Sequence, residues 1–302
     1  MIIVRLMGGM GNQMFQYAAG KYLSEKWGVP LKLDLSFLND RAPKENFTYR
    51  DFELHAFNIN DEIIQAKELE LFVRKAVKLS KLKIDGLNRV LFKFSIPFPK
   101  IINHHYSSFY EYFPSLSNNT FLIGYWQSEK YFENFGDLIR QCFLLQDPGI
   151  EKRVASFLQR DKMREKVSVH IRRGDYILND HINSVHGLCS KDYYIEAMDY
   201  ISAKVQDPIF YFVSDDMDWV KSTFIKFLGK YKIIFAPSDH GPLDDLQVMK
   251  LCRHNIIANS SFSWWGAWLN ENPQKIVIAP KKWFADESKD TTGIIPAKWI
   301  QL

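Results

Sequence analysis

From residue 165 onward, short apolar runs alternate with amphipathic stretches. KVSVHIRR, PIFYFVSDD, YKIIFAP, NIIAN and KIVIAP are runs dominated by branched and aromatic side chains, the pattern of strands buried on both faces. Between them SKDYYIEAMDYISAKV, MDWVKSTFIKFLG, DDLQVMKLCRH and SSFSWWGAWLNEN carry helical spacing. Ser190 is placed to cap the first of these helices and Gly229 to end the second. Such alternation predicts an α/β domain with a doubly wound parallel sheet. The first half is less regular. It predicts a strand over 2–6, a helix over 12–27, a strand near 31–35, and then a long stretch without a clear period. The change of texture puts a domain boundary near residue 165, giving domains 1–164 and 165–302.

Composition narrows the class. The chain has 302 residues, 46% hydrophobic and 25% charged, enough for two cores of ordinary size. A net charge of +4 is no nucleic-acid footprint. Aromatic residues reach 15%, which suits either filled cores or sugar-binding faces. Cys142, Cys189 and Cys252 are scattered, odd in number and without a C-x-x-C, so a disulfide framework and a zinc knuckle are not expected, and a reducing compartment is. The opening MIIVRLMGG is too short for a membrane span and lacks a basic leader region. The expectation is a cytoplasmic chain, or one peripheral at the inner membrane face. Residues 67–100 carry nine Lys/Arg against three acids, interleaved with leucines, valines and phenylalanines. That stretch reads either as a membrane-surface element or as a solvated helix packed on its own domain.

The candidate chemistry lies where strands end, because ligands of parallel sheets bind outside the carboxyl ends of the strands. Those ends read HIRRGD, VSDD, APSDHG and NSSFSWW. Strand alternation puts Val167, Val169 and Ile171 on one face and Ser168, His170 and Arg172 on the other. Arg172 is then placed beside His170, where a guanidinium can grip a phosphate, while Arg173 points elsewhere and can pair with Asp175. Ser260, Ser261 and Ser263 surround a helix start, which offers N–H groups and hydroxyls to an anion or simply caps the helix. Trp264, Trp265 and Trp268 read as core. Asp216 and Asp218 form a D-x-D, which elsewhere holds a divalent metal against a sugar nucleotide. Asp215 or Asp216 is instead read as an acceptor for a ribose hydroxyl or a guanine edge. At the other end of the chain, GGMGNQMFQYA follows the first strand. It lacks the third glycine of a dinucleotide fingerprint and the lysine of a phosphate loop.

Taken together, HIRRGDY, FVSDD, NSSFSWWGAWLN and GGMGNQMFQYA resemble the α-1,2-fucosyltransferases of bacteria and animals, over residues 1 to about 280. The resemblance implies two Rossmann-like domains facing a cleft, a GT-B-like fold, with an acceptor-side domain 1–164 and a GDP-sugar domain 165–302. It implies metal-independent, inverting transfer of L-fucose from GDP-β-L-fucose to the 2-hydroxyl of a terminal galactose in an oligosaccharide or lipid-linked glycan, with no further cofactor. Carried over, His170 and Arg172 contact the donor, Asp216 reads the guanosine, and Ser260 and Ser261 hold the pyrophosphate. GMGNQ is similar to the G-x-x-G-N-Q loop of protein O-fucosyltransferases, whose asparagine faces the reacting centre, so Asn12 becomes a catalytic candidate. The base stays open between Asp175 and a leaving phosphate oxygen. Two other readings remain: a metal-dependent UDP-sugar transferase using Asp216 and Asp218, and a non-catalytic nucleotide or glycan binding module.

Overall fold

A computed structural model describes residues 1–43, 48–81, 99–104, 110–159, 161, 163–178 and 180–302. The chain divides into two compact units, the first made of Met1–Pro43, Tyr49–Leu144 and Thr292–Ile294, the second of Lys44–Thr48, Leu145–Thr291 and Ile295–Leu302.

The first unit runs β1 (Ile2–Arg5), α1 (Met10–Trp27), β2 (Leu31–Asp34), α2 (Ser36–Asn39), β3 (Glu62–Ile63), α3 (Ala66–Lys81), β4 (Lys100–His104), β5 (Thr120–Gly124) and α4 (Gly136–Cys142). Its five strands form one sheet in the order β3-β2-β1-β5-β4, every neighbouring pair parallel. The region without a sequence period therefore supplies three strands. Two of them are short enough, or far enough from their partners along the chain, that no local pattern reveals them. Phe72 and Ala76 of α3 are buried, and Phe72 packs with Ile3, Ile64 and Phe121, with Leu69 and Val73 against the same cluster. Part of the apolar side of α3 is thus packed on its own unit, while Leu71 and Val77 stay exposed and Lys67, Arg74, Lys75 and Lys78 face outward. The remainder of the basic stretch, residues 82–98, lies outside the described residues. No helix among the described residues is long and apolar enough to cross a membrane.

The second unit runs α5 (Pro148–Leu158), β6 (Glu165–Ile171), α6 (Gly174–Leu178), α7 (Asp180–His186), α8 (Lys191–Lys204), β7 (Pro208–Ser214), α9 (Met217–Phe224), β8 (Lys232–Phe235), α10 (Pro242–Leu251), β9 (His254–Ile256), α11 (Ser261–Leu269), β10 (Val277–Ala279) and β11 (Ile300–Gln301). Its sheet has the order β11-β10-β9-β6-β7-β8 and is parallel throughout. Val167, Val169 and Ile171 join one core cluster with Phe210, Phe212, Ile256 and Ile278, as strand alternation requires. Ser190 caps α8 by accepting from Tyr193 N at 3.1 Å. Trp264, Trp265 and Trp268 are buried, with the first two rings 5.1 Å apart. The units divide at Leu144/Leu145 and not at 164/165. The reason is α5: Phe157 packs edge-on to Tyr211 at 5.2 Å, and Arg153 pairs with Asp244 at 2.6 Å.

Candidate functional site

In the second unit the strand order reverses between β6 and β9. At such a switch point the connections leave for opposite faces and open a crevice at the strands' carboxyl ends. Residues after β6 and β9 flank that crevice, and the loop after β7 lies beside them. Arg172 follows β6 and pairs its Nη1 with Asp215 Oδ2 at 2.9 Å. Asp215 Oδ1 accepts the Arg173 backbone N–H, also at 2.9 Å. Gly174 makes this approach fit, since a Cβ there would collide with Asp215 Oδ2. Arg173 turns the other way. Its Nε pairs with Asp216 Oδ2 at 2.9 Å, and its guanidinium lies 3.8 Å over the Trp219 ring.

The strand-end acids therefore hold arginines. Asp216 also caps α9, its Oδ1 accepting from Trp219 N at 3.2 Å. Its partner is Arg173, whereas Arg173 was expected beside Asp175. The Asp175 side chain lies outside the described part of α6. Asp218 is exposed on α9. Among the described residues no group of three or more His, Cys, Asp or Glu is placed to hold a metal ion.

His170 is buried near Phe262, ring centres 5.5 Å apart. Its imidazole is pushed down to about 4, chiefly by burial, with Asp215 opposing and Arg172 adding a smaller lowering, so it is neutral near neutral pH. Its Nδ1 has no hydrogen-bond partner among the described residues. Ser260 is the N-cap of α11, accepting from Phe262 N at 3.3 Å, and half-buried Ser261 opens the helix. Ser263 departs from its expected role. It is fully buried, and its hydroxyl is placed to donate to Ala258 O and Ser260 O, each at 3.1 Å. It braces the turn from inside and does not reach an anion.

Two residues here escaped the sequence reading. Asn259 is buried and its Nδ2 donates to His186 O at 2.8 Å and Gly187 O at 3.1 Å, tying the loop after β9 to the end of α7. Asp245, on α10, is buried, and its carboxyl is pushed up to about 8 by burial, with Asp244 and Asp215 adding repulsion. Asp244 is itself paired with Arg153 and Asp215 with Arg172, so neither arginine is Asp245's own partner.

A carboxyl raised on folding binds its proton more tightly in the folded state. Stability then falls as pH rises from the ordinary carboxylate value of 3.8 to about 8. Asp245→Asn removes that loss. Urea unfolding should show the variant gaining on the parent as pH rises, by a few kcal/mol at the top, on the order of 1.4 kcal/mol per unit of pKa. A stability difference that stays constant with pH would show that Asp245 buries no proton.

The first unit has its own switch point, between β1 and β5. The loop after β1 begins α1, and Asn12 stands in its first turn. Across the switch point Gln127, three residues after β5, donates from Nε2 to Asn12 Oδ1 at 2.7 Å. The left-handed glycine of the opening loop is Gly8, at φ 72°, whereas Gly11 lies inside α1. A Cβ on Gly8 would lie 2.6 Å from Asn12 Nδ2, so the glycine makes room for that amide. Gln13 is structural: its Nε2 donates to Gly8 O and Asp51 O, both at 2.8 Å, and its Oε1 accepts from Glu53 N at 3.0 Å.

Two parallel α/β sheets, each with polar groups gathered at its switch point, give a fold of the GT-B-like class. The fold is shared with solved structures of low identity. POFUT1 in complex with GDP-fucose matches with a TM-score of 0.51 at 12% identity, covering 92% of this chain and 97% of that one. NodZ α-1,6-fucosyltransferase soaked with GDP-fucose matches at 0.50 and 15%, covering 96% of each.

The model of glycosyl transferase family 11 matches residues 1–302, and the chain belongs to that family, the α-1,2-fucosyltransferases. An Escherichia coli alpha-1,2-colitosyltransferase is 34% identical over 100% of this chain and 98% of its own. The E. coli O-antigen biosynthesis glycosyltransferase WbnK is 34% identical over 98% and 99%. A Caenorhabditis elegans galactoside 2-alpha-L-fucosyltransferase is 28% identical over 73% of this chain and 62% of its own.

Proposed function

We propose that this glycosyltransferase moves L-fucose from GDP-β-L-fucose to the 2-hydroxyl of a terminal galactose, with inversion. The observation that carries the reading is Arg172 at the switch point of the second unit, aimed by Asp215 and set beside neutral His170. Breaking the fucosyl–phosphate bond places negative charge on the leaving diphosphate, and a fixed guanidinium stabilises that charge as it forms. The start of α11, with Ser260 and Ser261, supplies further donors to the same diphosphate. Asp216 reads the guanosine from the loop where it also steadies Arg173. Asn12 belongs to the acceptor side, where its amide orients the incoming hydroxyl. The proton of that hydroxyl goes to Asp175 or to a leaving phosphate oxygen.

The colitosyltransferase relative favours one neighbouring reading, in which the donor is GDP-colitose. Colitose is fucose without its 3-hydroxyl, so the same diphosphate machinery serves both. Product formation with GDP-fucose, GDP-colitose, GDP-mannose and UDP-galactose, over a panel of β-galactosides and with EDTA added, tests the assignment. The expected result is transfer from GDP-fucose, unaffected by EDTA, and none from UDP-galactose. Preference for GDP-colitose would move the assignment to the second donor. Preference for UDP-galactose, or activity lost to EDTA, would restore the metal-dependent reading through Asp216 and Asp218.

A further inference from the structure

The loop after β5 is held in a conformation that side chains rarely adopt. Trp126 has φ 54°, the left-handed region, which is costly for a bulky residue. Its ring is buried, 5.3 Å from both Phe113 and Tyr131, so core packing pins the strained residue in place. Ser128 N bonds back to Trp126 O at 2.8 Å, and Ser128 Oγ donates to Gly293 O at 2.7 Å. The residue between them is Gln127, and the strain delivers its amide to Asn12 at the switch point.

Only one end of that amide is used. Gln127 Oε1 is buried and has no hydrogen-bond partner among the described residues. An amide oxygen accepts two hydrogen bonds, and leaving it unmet inside a protein costs free energy. Fold stability alone gives no reason to strain a tryptophan in order to strand a neighbouring acceptor. A donor arriving with a ligand gives one.

Resting on the transfer reading above, we propose that Gln127 is an acceptor-binding and positioning residue. Its Oε1 takes a hydroxyl of the acceptor sugar, while its Nε2 fixes the Asn12 carbonyl and so aims the Asn12 Nδ2 group. The ligand class is a polyol whose hydroxyl donates into a buried amide oxygen. A sugar ring qualifies and a nucleotide phosphate does not, because at neutral pH it brings acceptors only.

The two roles separate by substitution. Gln127→Ala removes both amide ends. Gln127→Glu keeps an acceptor for the sugar hydroxyl but loses the donor that holds Asn12 and sets a carboxylate against its carbonyl. Steady-state kinetics are measured with the β-galactoside that the parent enzyme uses best, alongside calorimetric GDP affinity and thermal melting. Gln127→Ala should raise the acceptor KM about tenfold and lower kcat about tenfold or more. Gln127→Glu should keep the acceptor KM within about threefold while kcat falls as in the alanine variant. GDP affinity should stay within about twofold in both, since the donor groups lie in the second unit.

An alanine variant with unchanged acceptor KM overturns the acceptor-binding role. A glutamate variant with unchanged kcat overturns the positioning role. GDP affinity falling in step with turnover would make Gln127 a general structural residue and overturn both. If the parent binds GDP but transfers to no galactoside, the acceptor assignment and this inference fall together. If it binds no GDP, the donor reading fails separately.

Discussion

Arg172→Ala is expected to lose about two to three decades of turnover, the 3–4 kcal/mol that a preorganised donor contributes to a charged transition state. The chain should remain folded, because the Arg172 side chain is partly exposed and its pair with Asp215 lies at the mouth of the crevice. Lysine should rescue poorly. It carries a point charge and cannot present two parallel N–H groups to a phosphate. Arg173→Ala makes the comparison sharp. Arg173 lies on Trp219 and pairs with the carboxylate that caps α9, so its loss should appear mainly as stability. A stacked cation on a partly exposed ring is worth about 0.5–1 kcal/mol. Its turnover should stay within about tenfold of the parent. Turnover and urea unfolding on the three variants decide the matter. If Arg173→Ala is the less active protein, Arg172 is not the residue that meets the leaving group.

The expectation behind that ranking came from strand parity alone: Arg172 is placed on the face of His170, and the next residue is not. Strands β6 to β10 of the second unit were legible for a similar reason: β6, β7, β9 and β10 are largely buried and leave short, mostly apolar runs, whereas β11, two residues long and half-exposed, left none. The first unit hid more. Its β3 is two residues long, and β5 pairs with a strand more than a hundred positions earlier, so neither leaves a local period. The boundary was misplaced because α5 belongs to the second unit through Phe157 and Arg153, contacts made with residues far along the chain.

Site roles followed the same division. The motifs located the Arg, Asp and Ser clusters. They could not show that Asp215 and Asp216 are already engaged by the two arginines, nor that Ser263 points inward. Asp245 sat unnoticed within DDLQVMKLCRH, since its special state arises from burial beside two other acids and not from its sequence neighbours. Gln127 was invisible for a plainer reason. Its partner is 115 residues away, and only the strand order β1-β5 makes them neighbours.

Asn12→Ala is expected to separate reaction from donor binding more cleanly than any other single change in the first unit. The substitution removes one amide. Gly8 keeps its left-handed turn, Gln13 keeps its bonds to Gly8, Asp51 and Glu53, and alanine suits a first helical turn, so melting should shift little. GDP affinity should stay within a few-fold, because the diphosphate groups assigned above all belong to the second unit. Turnover should fall by about two decades or more, since the role proposed for the amide is to orient the acceptor hydroxyl and offer a hydrogen bond that tightens in the transition state. Gly8→Ala supplies the second arm. There a methyl group meets Asn12 Nδ2 at 2.6 Å and the backbone sits at φ 72°. The change should cost about 1 kcal/mol or more in stability and also displace the amide. Its turnover should therefore drop with Asn12 still present, while GDP affinity again holds. Calorimetry with GDP and initial rates with GDP-fucose read both arms. An Asn12→Ala enzyme with near-parental turnover would reduce the opening loop to a turn that starts a helix.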